Sequence, residues 1–441
     1  MLTSVVRAAL AAVGLAGLAP LVKADDWPQW MGPERDDVWR ETGLVEKFPK
    51  EGPKVLWRYK IHGGYSGPAV ANGLVYVMDY QTNADVAKLS EPERPKGAIK
   101  GKERVLCLDA KKGTKVWEHV YDCAYTVSYP AGPRCTPTVA GGKVYSLGTE
   151  GNLYCLDSKK GNVLWSKDFK KLYKARTPIW GFCGHPLVVG KRLICIVGAK
   201  GALAVAFDKD SGEELWKSLD DSEPGYSAPA LISAGGKEQV VVWGAETING
   251  LNLETGKPYW NVDLKPSYGM SIMVPRKAGN YLFAGGIRAA CACLELDSEK
   301  PAAKVVWRGK RDTGVYPVNM TPFIEGDTIY AVDQPGQLRA VDLTTGKRLW
   351  DTFRPVRGEQ VNAGTAFVVK NGDRFLLFNE QGELIIAKLS RKGYEEVDRW
   401  KMLEPTGTAW GRSVVWSHPA FADKCVFARN DKEIVCASLA K

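Results

Sequence analysis

The stretch Ala340-Val341-Asp342-Leu343-Thr344-Thr345-Gly346-Lys347-Arg348-Leu349-Trp350 decides how this chain folds. A short alternating run ends at an aspartate. A glycine follows four residues later, and a tryptophan four after that. Asp accepts hydrogen bonds from the backbone two residues on and starts a turn. Gly takes the positive φ that a short bulged hairpin loop requires. The phrase therefore encodes two strands joined by a tight turn, with a large apolar ring on the second. It recurs over 106–117, 154–165 and 205–216. Trp57, Trp117, Trp165, Trp216, Trp260, Trp307, Trp350 and Trp400 stand 43 to 60 residues apart. A period of this size marks a repeat architecture.

Upstream of each phrase lies a second strand pair. Gly67-Pro68-Ala69-Val70 leads through Asn72-Gly73 to Leu74–Met78, and Thr136–Val139 leads through Gly141-Gly142 to Val144–Leu147. Asn-Gly between alternating apolar runs is the strongest short hairpin signal. Four antiparallel strands per period, repeated, predict an all-β fold, a β-propeller. The ends count the blades. The last phrase, Ile434–Leu439, has no Trp after it, and the first strand, Val55–Arg58, has a Trp and no phrase before it. Each end supplies what the other lacks, so eight blades are expected, the last closed by the N-terminal strand. Two repeats are degraded, with Asn252 in place of Asp in blade 4 and Leu389 in blade 7; blade 5 keeps Asp297 but has Pro301 in place of Gly, and their spacing still fits.

The Ala-x-Asp-x-x-Thr-Gly-x-x-x-Trp pattern of 340–350 resembles the tryptophan-docking repeat of the pyrroloquinoline-quinone-like propellers, a superfamily that includes quinoprotein alcohol dehydrogenases and BamB-type outer-membrane assembly factors. The likeness covers roughly residues 53–441. The opening Asp26–Pro33, with Phe48-Pro49 and Tyr65–Pro68, is similar to exported BamB-like propellers. The resemblance implies the fold and the eight Trp as docking residues. It does not fix an activity, because one fold hosts many functions.

Three segments are expected: a signal peptide at 1–24, an N-terminal arm at 25–52 and the propeller at 53–441. Arg7, the apolar stretch Ala8–Leu18 and Val22-Lys23-Ala24 fit an export signal. Its apolar run is too short for a membrane span. The mature chain is therefore expected to be soluble and periplasmic, or otherwise exported, with no membrane span. The arm, with two Trp and several Pro, is expected to pack across the propeller. Hydrophobic content of 45% is ample for a ring-wide core. Net charge is +10, and loss of Arg7 and Lys23 leaves +8. The basic residues are scattered through turns, so nucleic acid is not an expected partner. The densest cluster is the insert Lys88–Arg104, read as a solvated loop.

Ten cysteines invite a disulfide framework. Register argues otherwise for Cys107, Cys155 and Cys436, which sit where Ala stands in other blades, in a small slot between blades. Cys291 and Cys293 alternate on one strand and fall short of a metal site. Cys123 and Cys135 flank the connection from blade 1 to blade 2, and a bridge between them is conceivable in an oxidising compartment. The rim-to-hub span argues against it.

In a propeller the residues just before each inner strand line one mouth of the central channel. Here that position brings together Tyr65, Arg134, His185, Tyr226, Tyr268, Asn319, Asn362 and His418, and preceding loops add Tyr129, Trp180, Tyr316, Trp410, Arg412 and Trp416. Aromatic rings among amide, imidazole and guanidinium groups at a concave mouth make a ligand site. The same rings could instead wedge the blade junctions. His185 and His418 occupy equivalent places, each followed by Pro. They suit a general base or a metal ligand, but Ser or Thr fills the slot elsewhere, which favours a structural role. No catalytic residue and no metal ligand set is assigned.

The expected function is a non-catalytic exported platform that binds a protein partner or a small-molecule ligand at the mouth, with no cofactor. The alternative is a dehydrogenase using pyrroloquinoline quinone (PQQ). The resemblance implies adjacent cysteines and a Glu, Asn and Asp calcium site for such an enzyme, and this sequence supplies neither. A third reading is a carbohydrate-binding or carbohydrate-processing propeller.

Overall fold

The structure, a computed structural model, describes residues 26–86, 94–288 and 290–441. The expected signal peptide lies outside the described residues, as does part of the Lys-rich insert.

Eight four-stranded antiparallel sheets form the ring. Blade 1 runs outward from Ala69–Ala71 through Leu74–Gln81 and Lys102–Asp109 to Lys115–Asp122. Blades 2 to 7 repeat this order, with inner strands beginning at Thr138, Leu187, Ala230, Arg276, Phe323 and Ala366. Blade 8 takes three strands from the C-terminus, Ala420–Ala422, Cys425–Arg429 and Glu433–Ser438. Its fourth is Val55–Lys60, paired antiparallel with Trp57 opposite Cys436 and Lys60 opposite Glu433. The closing strand removes the edge that Glu433–Ser438 would otherwise expose. Outside the blades are a five-residue helix, Phe169–Tyr173, and a hairpin of Gly407–Ala409 with Arg412–Val414. Among the described residues, no helix is long and apolar enough to cross a membrane.

The repeated phrase is the seam between blades. At the junction of blades 8 and 1, Asp109 Oδ1 accepts the N–H groups of Lys111 and Lys112 at 2.9 and 2.8 Å. The turn then reaches Gly113 at φ 67°. A Cβ there would lie 2.5 Å from the Trp57 ring, so the indole lies flat on bare backbone. Trp57 Nε1 donates to the Ala110 carbonyl at 2.8 Å. Trp117, Trp165, Trp216, Trp307 and Trp350 donate likewise to Ser158, Lys209, Leu253, Leu343 and Ser390 of the next blade. The residue opposite the Trp in its own blade is small: Cys107, Cys155, Ala206, Cys293, Ala340 or Cys436. Burial pushes the Cys107, Cys155 and Cys293 thiols up to about 12, so they act as small apolar groups.

Two of the eight Trp do not dock this way. Pro301 stands where the blade 5 turn needs Gly. Trp260 instead folds over Gly250 of its own blade and donates to Gln239 Oε1 at 2.8 Å. In blade 7 the register puts Asp398, opposite Ile386, at the docking position, and Trp400 falls two residues beyond, opposite Leu384. Trp400 packs on the arm, against Gly52 and Phe48, while Asp398 accepts the Phe48 N–H at 2.7 Å. The bridge weighed between Cys123 and Cys135 is absent. Both thiols are free, Cys123 facing Asn152 and Cys135 the Phe182 carbonyl.

The arm crosses the channel. Trp27 exchanges two 2.8 Å backbone bonds with Val70 of blade 1, and the Pro28 carbonyl accepts from Val139 of blade 2. Arg35 donates to the carbonyls of His185 and Pro186 at the entry to blade 3. Arg276 of blade 5 donates to the carbonyls of Arg35 and Asp36. Trp39 bonds Lys370 of blade 7, and Glu41 accepts from Asp423 and Lys424 of blade 8. Burial pulls Arg35 down to about 10, so its bonds to carbonyls are made at the cost of desolvation.

Candidate functional site

The opposite side of this plug is open. A cavity of about 670 Å³ occupies the channel mouth. Of the residues expected there, Tyr65, Arg134, Trp180, His185, Tyr226, Tyr268, Asn319, Asn362, Trp410 and His418 line it, with Tyr129 and Trp416. Arg412 stands behind the wall. Its guanidinium lies 5.5 Å from the Trp410 ring centre and donates to the Asn362 carbonyl and to Glu380. Tyr316 is not in the cavity; its hydroxyl donates to the carbonyls of Lys310 and Thr313.

The cavity has two unlike walls. One is aromatic: Tyr129 packs on Trp416 and Trp410 at 5.9 and 6.1 Å, and Trp180 packs edge-on against Tyr226 at 5.5 Å. The other is aliphatic, a group of Ile287, Val318 and Ala363 with Met270 beside it. The floor comes from the arm. Trp30 stacks on His185 at 4.2 Å and 14°. Trp30 carries no repeat signature, so register alone did not place it. Ile287, Arg288 and Gln334 were also missed, because hairpins between second and third strands reach the same mouth.

Both histidines are held. His185 Nδ1 accepts the Thr136 N–H at 2.9 Å. Burial first, then the charges of Arg35 and His418, hold its pKa well below the usual range. The ring is therefore neutral, with its Nδ1 lone pair spent and the proton on Nε2. His418 has the Pro419 carbonyl 2.7 Å from Nδ1 and Asp37 Oδ1 3.0 Å from Nε2, which ties the entry of blade 8 to the arm. Cys183 points at the carbonyls of Trp180 and Gly181, and burial pushes its thiol up to about 11. Burial also raises Tyr65 and Tyr226. Among the described residues, no group of three or more His, Cys, Asp or Glu is placed to hold a metal.

The backbone at the mouth is strained. Tyr129, Tyr268, Arg288, Ala363 and Trp410 line the cavity with φ between 46° and 58°. Such values are uncommon for non-glycine residues and outliers for bulky ones. Trp410 and Gly411, φ 46° and 71°, are the two central residues of a hairpin turn where Asn-Gly is the favoured pair. The hairpin is anchored by the fully buried Glu380, which accepts from Arg412 at 2.8 Å and Arg357 at 2.6 Å. Trp410 and Tyr268 are left 43% and 64% exposed at its rim.

The sequence family described as the outer membrane protein assembly factor BamB matches residues 101–245 and 244–441. BamB of Burkholderia pseudomallei is 24% identical over 286 residues, 64% of this chain and 65% of that protein. BamB of Shewanella oneidensis is 24% identical over 185 residues, 40% of this chain and 46% of that protein. The chain thus spans between about half and two-thirds of the length of these relatives. Among solved structures, BamB from Moraxella catarrhalis matches with a TM-score of 0.54 at 14% identity, over 87% of this chain and 97% of that one. A quinohemoprotein alcohol dehydrogenase from Comamonas testosteroni matches with a TM-score of 0.59 at 14% identity, over 94% and 80%. An assembly factor and a redox enzyme share the fold at the same 14% identity, so the fold does not choose between them. The family match covers most of the ring, and the chain belongs to the BamB family of PQQ-repeat propellers.

Proposed function

We propose that this chain is an exported, non-catalytic platform that binds a ligand or a protein segment at the channel mouth, in a role akin to the assembly function named for its BamB relatives. One observation carries the reading: the mouth is a preformed, largely apolar cavity whose two histidines and one cysteine are turned to protein neighbours. The His185 lone pair is bonded, the His418 nitrogens face Pro419 and Asp37, and Cys183 is a neutral thiol. A general base needs a free lone pair near the working pH, and a nucleophile needs activation. Rigid aromatic anchors in a concave site are the equipment of binding.

The donor set also fits a quinone poorly. Pyrroloquinoline quinone carries several carboxylates, and a cluster of cations would be needed to hold them. The lining offers Arg134 and Arg288, and Arg134 donates instead to the carbonyls of Gly132, Ser128 and Tyr129. Cys183 is the one cysteine in the lining, so the lining offers no adjacent cysteine pair.

Mass spectrometry of whatever copurifies with the native protein tests the proposal. The expected result is a bound ligand or partner retained by the wild type and lost by Trp180→Ala and Trp410→Ala at unchanged fold. Turnover of an alcohol with quinone-dependent electron transfer would overturn it.

A further inference from the structure

Charge at the mouth is one-sided. The lining holds Arg134 and Arg288 and neither Asp nor Glu. Arg134 is spent on three backbone carbonyls and lies 5.0 Å from the Tyr65 ring centre. Arg288 is exposed, lies 5.3 Å from the Tyr268 ring centre, and has no ion pair or hydrogen bond with any described residue. Glu223 comes near Gly269 but stands outside the lining. Arg288 and Tyr268 both hold left-handed backbone, at φ 56° and 58°, so the pair is presented by two strained turns. A guanidinium stacked on a ring keeps its N–H fork free for a carboxylate or sulfate.

The same cavity is lined by two apolar groups, the aliphatic Ile287, Val318 and Ala363 and the aromatic Tyr65, Tyr129, Trp180 and Trp416. One free cation at the edge of an apolar cleft matches an apolar body that carries one anionic group. A cationic ligand would meet Arg288 with no carboxylate in the lining to offset it. A polycarboxylate would leave charges unpaired against apolar walls.

We infer that the mouth binds a mono-anionic amphiphile, its carboxylate, sulfate or sulfonate on Arg288 and its apolar chain or ring between the aromatic and aliphatic walls. This rests on the reading of the mouth as a binding site.

Calorimetric titration of the full-length protein tests the inference. The probes are decanoate, decylammonium and decanol, each below its aggregation limit, and 2-naphthoate. The expected result is that decanoate or 2-naphthoate binds at least tenfold tighter than decanol and decylammonium. Which of the two anions binds tighter decides between chain and ring. Arg288→Gln should remove the advantage of the anion, and Arg288→Lys should keep most of it; the side chain is exposed, so both variants should fold. Equal binding of decanoate and decanol, or an unaltered Arg288→Gln, overturns the inference and leaves the mouth a binding site. No binding of any of the four probes overturns the inference; the reading of the mouth as a binding site falls only if nothing copurifies with the native protein.

Discussion

The blade seams and the channel mouth use the same left-handed backbone and fill it differently. At five seams the turn position is Gly: Gly113, Gly161, Gly212, Gly256 and Gly346, with φ from 67° to 76°, each under a Trp ring. At the mouth the residues are Tyr129, Tyr268, Arg288, Ala363 and Trp410. Glycine takes this conformation without steric cost, whereas another residue gives up roughly 1–2 kcal/mol. At these five seams the local choices agree with the fold. The mouth departs from that rule at five places that surround one cavity. Strained residues cluster at ligand clamps, and departures from local consistency mark function.

The comparison can be broken in several ways. Deleting 53–60 should have the largest effect, because it strips blade 8 of its outer strand and leaves Glu433–Ser438 as an open edge. The expected outcome is loss of cooperative thermal unfolding; retention of a native-like transition would mean that the ring does not depend on closure. Next come the docking rings. Trp117→Ala and Trp165→Ala should each cost ~3–5 kcal/mol in urea unfolding. Trp410→Ala should cost under about 1 kcal/mol, since its ring is 43% exposed. Equal losses at all three would erase the distinction between seam and mouth.

A smaller effect sharpens the seam itself. Gly73 and Gly113 both have positive φ, but a Cβ meets nothing within 4 Å at Gly73 and the Trp57 ring at 2.5 Å at Gly113. Gly73→Ala should cost about 1–2 kcal/mol from backbone strain. Gly113→Ala should add about 1–3 kcal/mol from the clash. Similar losses at the two sites would mean that the ring does not rest on the turn.

Most of the seam was legible in the sequence, because Asp, Gly and Trp act through neighbours at fixed spacing. The two failures had local signals. Pro301 in the glycine place foretold that Trp260 would lack a landing. In blade 7 the Trp stands 11 residues after Leu389, where the intact phrase has 8, and it lies two residues past the docking position, which Asp398 takes. The mouth was legible as far as register reaches, since residues before inner strands must converge on the axis. Trp30 was not, because its position depends on the path of the arm through Val70, Val139 and Pro186, contacts distant in sequence. The free charge of Arg288 was equally hidden, because it depends on what surrounds the side chain and not on its spacing.

The smallest effect is a pH dependence. The folded-state pKa values of His185 and His119 are depressed by burial. The unfolded chain therefore binds more protons below the ordinary histidine value of about 6.5, and stability falls as pH falls through it. Between pH 6.5 and 5 each histidine contributes a slope of at most about 1.4 kcal/mol per pH unit. His185→Gln should flatten the fall of the melting temperature in this window. An unchanged profile would mean that His185 protonates as readily folded as unfolded.

The most direct test of the central claim is thermal unfolding of a Tyr268→Gly/Trp410→Gly variant beside the wild type, with and without an anionic amphiphile such as decanoate. Glycine relieves the left-handed strain at both rim positions and removes two rings from the mouth. The account predicts that the variant unfolds at or above the wild-type temperature without ligand, and that decanoate raises the melting temperature of the wild type alone. A variant that unfolds well below the wild type without ligand would show that these rings serve the fold, and would contradict the account.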